Sequence, residues 1–200
     1  MKSLFDFIVE PVGQRYSNEV KVGDKSLIIN TQIETFKSVN NIAKVVEVPK
    51  IYNTAIKIGD IVMIHHNVFR RWYNVRGEEK NSKAYFKDNL YFVQLDQVYL
   101  YKTKDTWKAF GNRCFVSPIK DTVDIHNNLE QFLIGILKYG NSALEALGIN
   151  EGDLIGYTPN GEYDFVVDGK RLSDDDISAD RLKNAAATKK LAIFDAFEIL

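Results

Sequence analysis

Ile56-Lys57-Ile58-Gly59-Asp60-Ile61-Val62-Met63-Ile64 is the stretch on which the fold turns. A Gly-Asp turn dipeptide delivers the chain into a short β-branched run, the signature of a strand entered from a tight turn. The same pattern returns as Ile149-Asn150-Glu151-Gly152-Asp153-Leu154-Ile155. Working outward, two further pairs recur in the same order. Phe7-Ile8-Val9-Glu10-Pro11-Val12 matches Phe115-Val116-Ser117-Pro118-Ile119 with one residue dropped, and Leu90-Tyr91-Phe92-Val93 matches Asp164-Phe165-Val166-Val167. Apolar-Gly-Asp-apolar turns are common, so the shared order carries the inference of two related β units. The polar stretch Lys102-Thr103-Lys104-Asp105-Thr106 is the expected junction.

The intervening runs agree. Leu27-Ile28-Ile29, Ala43-Lys44-Val45-Val46-Glu47-Val48 and Val98-Tyr99-Leu100-Tyr101 are short, β-branched or aromatic, and bounded by Gly, Pro, Asn or Asp. A helical period of apolar residues is absent from the first hundred. Leu129–Tyr139 fits a helix or a buried strand, and its Gly and β-branched residues lean to strand. Ser142–Gly148 reads as one or two helical turns, capped by Ser142 and stopped by Gly148. Asp153–Tyr157 and Tyr163–Val167 read as strands joined by the turn Thr158-Pro159-Asn160-Gly161. The end, 178–200, reads as an amphipathic helix around Ala185-Ala186-Ala187. The expected organisation is a β barrel over 1–104, a second β-rich unit with a short helix over 105–177, and the helix 178–200.

Composition excludes several classes. Hydrophobic residues make 45% of the 200, aromatics 12% and charges 26%, which is the profile of a folded chain. One cysteine, Cys114, excludes an internal disulfide framework and a Cys-rich zinc site. No apolar run approaches the roughly 20 residues that span a bilayer, and the start lacks a secretory pattern, so a cytoplasmic protein is expected. The formal net charge of −1 hides a dipole. Residues 1–150 hold 20 basic and 16 acidic side chains, and residues 151–200 hold 6 and 11. The richest basic stretch is 63–87; the sharpest acidic one is Asp174-Asp175-Asp176, which reads as a turn because it lacks calcium-loop spacing.

The first unit, over roughly residues 5–102, resembles the GroES-type small co-chaperonin family. Phe7-Ile8-Val9-Glu10-Pro11 looks like the family's opening strand. Ala43–Val48 lies where the family has Gly-Glu-Val-x-x-Val, and Ile56–Val62 is similar to its Val-Lys-Val-Gly-Asp-x-Val. Tyr91–Tyr99 looks like the closing strand with its Asp-Ile/Val turn, and Leu172–Ala179 like that turn in the second unit. The whole chain resembles the two-unit GroES-like proteins of tailed phages, which carry a segment similar to His65–Trp72 and Lys80-Asn81-Ser82. The resemblance implies an irregular β barrel that assembles into rings. It also implies a loop whose aliphatic segment binds a large chaperonin; by position this is Leu27-Ile28-Ile29, preceded by Gly23-Asp24-Lys25-Ser26. The stretch from Asp60 to Tyr91 is longer than in the family.

Leu27-Ile28-Ile29 has a plainer reading as an ordinary buried strand, which any barrel needs. Phe69, Arg70, Arg71, Trp72, Tyr73, Arg76 and Lys80 interleave aromatics with cations, the residue types enriched at interface hot spots. They are expected at a subunit or partner interface; stacking of bases between phosphate contacts is the lesser reading. His65 and His66 are adjacent, and neighbours on a strand face opposite ways, so no metal site is expected. Nor is a cofactor. Cys114 with His126 suggests a thiol nucleophile only weakly, because a buried cysteine generally packs. Nucleophile-elbow, phosphate-loop and zinc-protease motifs are absent, so the expectation is a non-enzymatic protein. Two roles follow: a co-chaperonin, or a phage virion or assembly protein that reuses the barrel as an interaction module.

Overall fold

The computed structural model describes residues 2–16, 19–22, 25–28, 38–120, 130–156, 163–167 and 170–176. The expected helix 178–200, together with Ile29, His126 and the turn 158–161, lies outside these residues. The chain divides into two compact units, Met1–Trp107 and Lys108–Leu200. Both are mainly β, built from antiparallel sheets.

The first unit runs β1 (Phe7–Pro11), β2 (Glu19–Val22), β3 (Lys25–Ile28), β4 (Ile42–Glu47), β5 (Ile61–Ile64), β6 (Arg71–Tyr73), β7 (Glu79–Asn81), β8 (Tyr85–Lys87), β9 (Leu90–Val93) and β10 (Val98–Thr103), and β11 (Thr106–Ala109) follows across the boundary. One seven-stranded sheet has the order β11-β10-β5-β4-β1-β9-β8, while β2–β3 and β6–β7 form two separate two-stranded sheets. The expected junction 102–106 is a tight hairpin turn. Lys104 and Asp105 both take positive φ, the geometry that reverses a twisted strand pair, and β11 lies beside β10. The unit boundary falls just beyond it.

The second unit runs β12 (Arg113–Lys120), β13 (Glu130–Tyr139), α1 (Ser142–Ala146), β14 (Leu154–Gly156), β15 (Tyr163–Val167) and β16 (Lys170–Asp176). Their sheet order is β14-β13-β12-β16-β15. Within the expected segment Leu129–Tyr139, residues Glu130–Tyr139 resolve as strand, and Leu129 lies outside the described residues. The turn expected between β14 and β15 does not join neighbours, since the two lie at opposite edges of the sheet. Asp174, Asp175 and Asp176 end β16 opposite Phe115, Cys114 and Arg113, so backbone pairing overrides the turn preference of aspartate. Asn141, not Ser142, caps α1: its Oδ1 accepts from the N–H groups of Ala143 and Leu144, both at 3.0 Å. Its amide also donates to the Asn112 carbonyl at 2.7 Å, so the buried cap ties the helix to the start of β12.

The two units repeat one five-stranded frame, β8-β9-β1-β4-β5 against β15-β16-β12-β13-β14. Register agrees residue by residue. Ile8 faces Glu47 and Val9 faces Val45, with a break between them; Phe115 faces Tyr139 and Val116 faces Leu137, with the same break. Ala43 pairs Val62 as Gly135 pairs Ile155. The Gly-Asp turns coincide. Gly59 and Gly152 take φ of +93° and +97°, values that glycine reaches without strain. Asp60 Oδ2 accepts from the Lys57 N–H at 2.8 Å, and Asp153 Oδ2 from the Asn150 N–H at 2.7 Å. Gly59 N–H donates to the Val45 carbonyl and Gly152 N–H to that of Leu137, each at 2.8 Å.

This register corrects two of the three sequence matches. Ile8, not Phe7, corresponds to Phe115, so Pro11 meets Pro118 with no residue dropped. Leu90–Val93 corresponds to β16, whereas Asp164–Val167 lies on β15, the counterpart of β8. Matching by apolar character misled because the counterpart of Tyr91-Phe92-Val93 is Ser173-Asp174-Asp175.

Phe7, Ile8 and Val9 are buried together, as are Cys114, Phe115 and Val116. The central strand of each frame is covered on both faces. Around it the first unit packs Val45, Met63, Tyr91 and Leu100, and the second packs Leu137, Leu144 and Ile155.

Candidate functional site

Among the described residues two hairpins stand outside the main sheets, and both belong to the first unit. The first, β2–β3, lies in the connection between β1 and β4, residues 12–41. The equivalent connection in the second unit is only residues 121–129. Val20 pairs Leu27 and Glu19 pairs Ile28, and among the described residues these strands pair only with each other. Leu27 and Ile28 are therefore on a strand, but outside the main sheet that an ordinary core strand would join.

The stem of this connection is stapled. Asn40 donates its side-chain amide to the Val12 and Gln14 carbonyls, both at 2.9 Å, and its Oδ1 accepts from the Ile42 N–H at 2.8 Å. Its own N–H reaches the Arg15 carbonyl at 2.8 Å, and Tyr16 bridges Val39. One side chain thus holds both ends of a long excursion together, which offsets part of the entropy of closing it.

The second hairpin, β6–β7, belongs to the insertion between β5 and β8. A 3-10 turn at His66–Val68 starts the insertion, capped by His65, whose Nδ1 accepts from the Asn67 N–H at 3.0 Å. The two histidines are not on a strand, contrary to the expectation from the sequence, and their rings stack at 4.3 Å instead of facing opposite ways. Burial, then the neighbouring His65 and Arg70, push His66 down to about 4, so it is neutral near pH 7. Among the described residues no group of three or more His, Cys, Asp or Glu could hold a metal ion.

The foundation of the insertion is the same stem. Arg15 donates through Nη2 and Nε to the Phe69 carbonyl at 2.9 and 3.3 Å, and through Nη1 to Asn81 Oδ1 at 2.8 Å. Its guanidinium lies 5.4 Å from the Tyr91 ring. The Tyr16 hydroxyl accepts from the Arg71 N–H at 2.6 Å, and the Arg71 guanidinium stacks 4.3 Å over the Tyr16 ring. Arg71 also meets Glu79 at 3.4 Å, and Ser82 Oγ donates to the Val68 carbonyl at 2.5 Å.

These contacts sort the expected interface residues. Phe69 is wholly buried, edge-on to Tyr91 at 4.9 Å, and belongs to the core. Its place between buried Val68 and the tether to Arg15 removes it from any surface. Arg71 is a half-buried anchor and Arg70 is also half-buried. Trp72, Tyr73, Arg76 and Lys80 are exposed. Sequence reading missed Arg15, Tyr16 and Asn40. Each is an isolated polar or aromatic residue, and Arg15 and Tyr16 find their partners more than fifty positions away, so no local pattern marks them. Cys114 is buried among Val116, Leu137, Leu144 and Ile155 and packs there as a small hydrophobe.

No family model, curated protein or solved structure matches this chain. Among the described residues no helix is long and apolar enough to cross a membrane.

Proposed function

We propose that this protein is a non-enzymatic, co-chaperonin-like protein that forms a ring and docks on a large chaperonin, assisting the folding of phage proteins. The observation that carries the reading is the β2–β3 hairpin. It bears the aliphatic segment at Leu27 and Ile28, emerges between the first two strands of the frame, and stands outside the main sheet on a stapled stem. The resemblance of the strand motifs to the GroES-type family adds the GroES-like barrel and the assembly. In this mechanism the segment Leu27-Ile28-Ile29 enters an apolar groove on the chaperonin. Each aliphatic side chain buried there contributes about 1.5–3 kcal/mol. Repetition around a ring turns several weak contacts into a firm one.

The test is a pull-down with a host chaperonin, comparing the natural chain with Leu27→Ser/Ile29→Ser. Capture of the natural chain and loss with the double substitution is expected. No capture, or capture indifferent to the substitutions, removes the role.

A second reading, a phage virion or assembly protein using the frame as an interaction module, draws on the β6–β7 insertion, which has no counterpart among the described residues of the second unit. Mass spectrometry of purified particles separates the two. Stoichiometric copies in particles favour the structural role, and presence in infected-cell lysate alone favours chaperone work.

A further inference from the structure

We infer that the β6–β7 hairpin is a self-docking arm that seats on the acidic second unit of another copy of this chain. The arm is built to hold its shape without a partner. At its tip, Asn74 Oδ1 accepts from the N–H groups of Arg76 and Glu78 at 2.9 and 3.0 Å, and the Gly77 N–H closes on the Asn74 carbonyl at 2.9 Å. At its base, Arg15, Tyr16 and Arg71 fix it to the stem. A tip closed in this way and a base pinned by long-range bonds lose little freedom on binding, which favours affinity.

What this rigid arm presents is apolar, with the exposed Arg76 at its turn, while Lys80 shares its charge with Glu78 at 3.2 Å and further cations, Arg70, Lys83 and Lys87, flank the hairpin. Val75 is fully exposed at the apex, and Trp72 is 51% exposed on the strand below it. Register places Trp72 opposite Lys80 on one face of the hairpin. Exposed tryptophan flanked by cations is the composition of a hot spot, and a monomer gains nothing by leaving such a group in water.

Charge selects the partner. The unit boundary divides the sequence into sixteen basic and twelve acidic residues before Lys108, and ten basic and fifteen acidic from Lys108 onward. The first unit therefore carries +4 and the second −5. Segment 63–87 alone holds Arg70, Arg71, Arg76, Lys80, Lys83 and Lys87 against Glu78 and Glu79. It accounts for the whole positive excess of its unit, and the rest of that unit is neutral. The opposite excess lies in the other unit of the same chain, so each copy offers both halves of a head-to-tail contact. Opposed fields of this kind steer encounter and set register.

The experiment is sedimentation velocity over a range of protein and salt concentrations. Four samples are compared: the natural chain, Trp72→Ser, Arg76→Glu/Lys80→Glu, and Glu145→Lys/Glu151→Lys, the last pair being exposed acids of the second unit. All the substituted side chains are exposed, and circular dichroism verifies that each variant is folded. Expected is self-association that rises with concentration, weakens with salt, and drops at least tenfold in each variant. Mixing the two charge-reversed chains restores it. A concentration-independent monomer overturns the inference, as does association indifferent to the arm. Association that needs the arm but ignores the reversed acids, or an arm that instead captures a single-stranded oligonucleotide, overturns the acidic unit as its seat. Chaperonin capture is read through Leu27 and Ile29, so loss of that role leaves this measurement unaffected.

Discussion

The two units solve the same folding problem with different sequences. In the first, the central strand opens with Phe7, a large ring buried completely; in the second, the same position holds Cys114, also buried completely. Ala43 in the first corresponds to Gly135 in the second, where the chain passes so close to Val116 and Ser117 that an added Cβ would meet them at 2.3 and 2.8 Å. Both frames keep the Gly-Asp turn and the same break in register. They differ in what hangs from the connections: a stapled hairpin and a rigid arm in one, the helix α1 and the shorter connecting stretch 121–129 in the other. Strand pairing and turn geometry are set by the backbone and tolerate exchange of side chains. Side-chain volume only has to fill the space that remains.

Four measurements would break or sharpen this comparison. The largest effect is expected from Phe7→Ala, which empties a fully buried site and costs about 3–5 kcal/mol, against about 1 kcal/mol for Cys114→Ala at the equivalent position. Urea unfolding with probes in each unit should show Phe7→Ala lowering the first unit's midpoint alone; equal losses from the two substitutions would deny their structural equivalence. Next is the turn. Asp60→Ala removes bonds to the Lys57 N–H and to Thr103 Oγ1 at 3.1 Å, and Asp153→Ala removes the one to the Asn150 N–H. Charged hydrogen bonds are worth about 1.5–3 kcal/mol, so Asp60→Ala should cost more than Asp153→Ala by thermal denaturation.

Gly135→Ala comes third. Its Cβ must displace backbone at Ser117, which costs about 1–3 kcal/mol, whereas Ala43→Gly in the first unit loses about 0.5–1 kcal/mol of backbone stiffness. A second unit that accepts Gly135→Ala without a shift in midpoint would mean that the strands there pack more loosely than in the first.

The smallest effect is a pH slope confined to the first unit. His66 stays neutral in the folded state down to about pH 4, while in the unfolded chain it takes up a proton near 6.5. Between these values the unfolded state binds more protons, so stability falls as pH drops through that window. His66→Gln should remove part of the slope in denaturant titrations at pH 4.5 and 7; a slope unchanged by the substitution would assign it to other groups.

Much of the frame was legible from sequence. The Gly-Asp turns and the short β-branched runs follow from local chemistry, because a turn needing positive φ and an alternating or continuous apolar run are written in neighbouring residues, whereas the continuous apolar run 129–139 left helix and strand both open until its pairing partners were in place. The cation-rich segment 63–87 was legible as a surface element, and Trp72, Tyr73, Arg76 and Lys80 are indeed exposed. Phe69 was not separable from them. Its burial depends on Tyr91 and on the tether of its carbonyl to Arg15, both remote in sequence. The stem staple at Asn40 was equally invisible, since an asparagine beside a strand has many local uses.

By itself, then, the sequence determined that the chain is mainly β, that Gly59-Asp60 and Gly152-Asp153 are matching turns, and that basic and acidic charge part company along the chain. The tertiary structure alone decided that the strands after those turns lie in one common register, that β14 and β15 are not neighbours, that Phe69 is core, and that two hairpins rise from a stem held by Arg15, Tyr16 and Asn40. The reason is physical. Turn and strand preferences act over a few residues, while pairing register, burial and long-range hydrogen bonds are settled only when distant segments compete for the same partners.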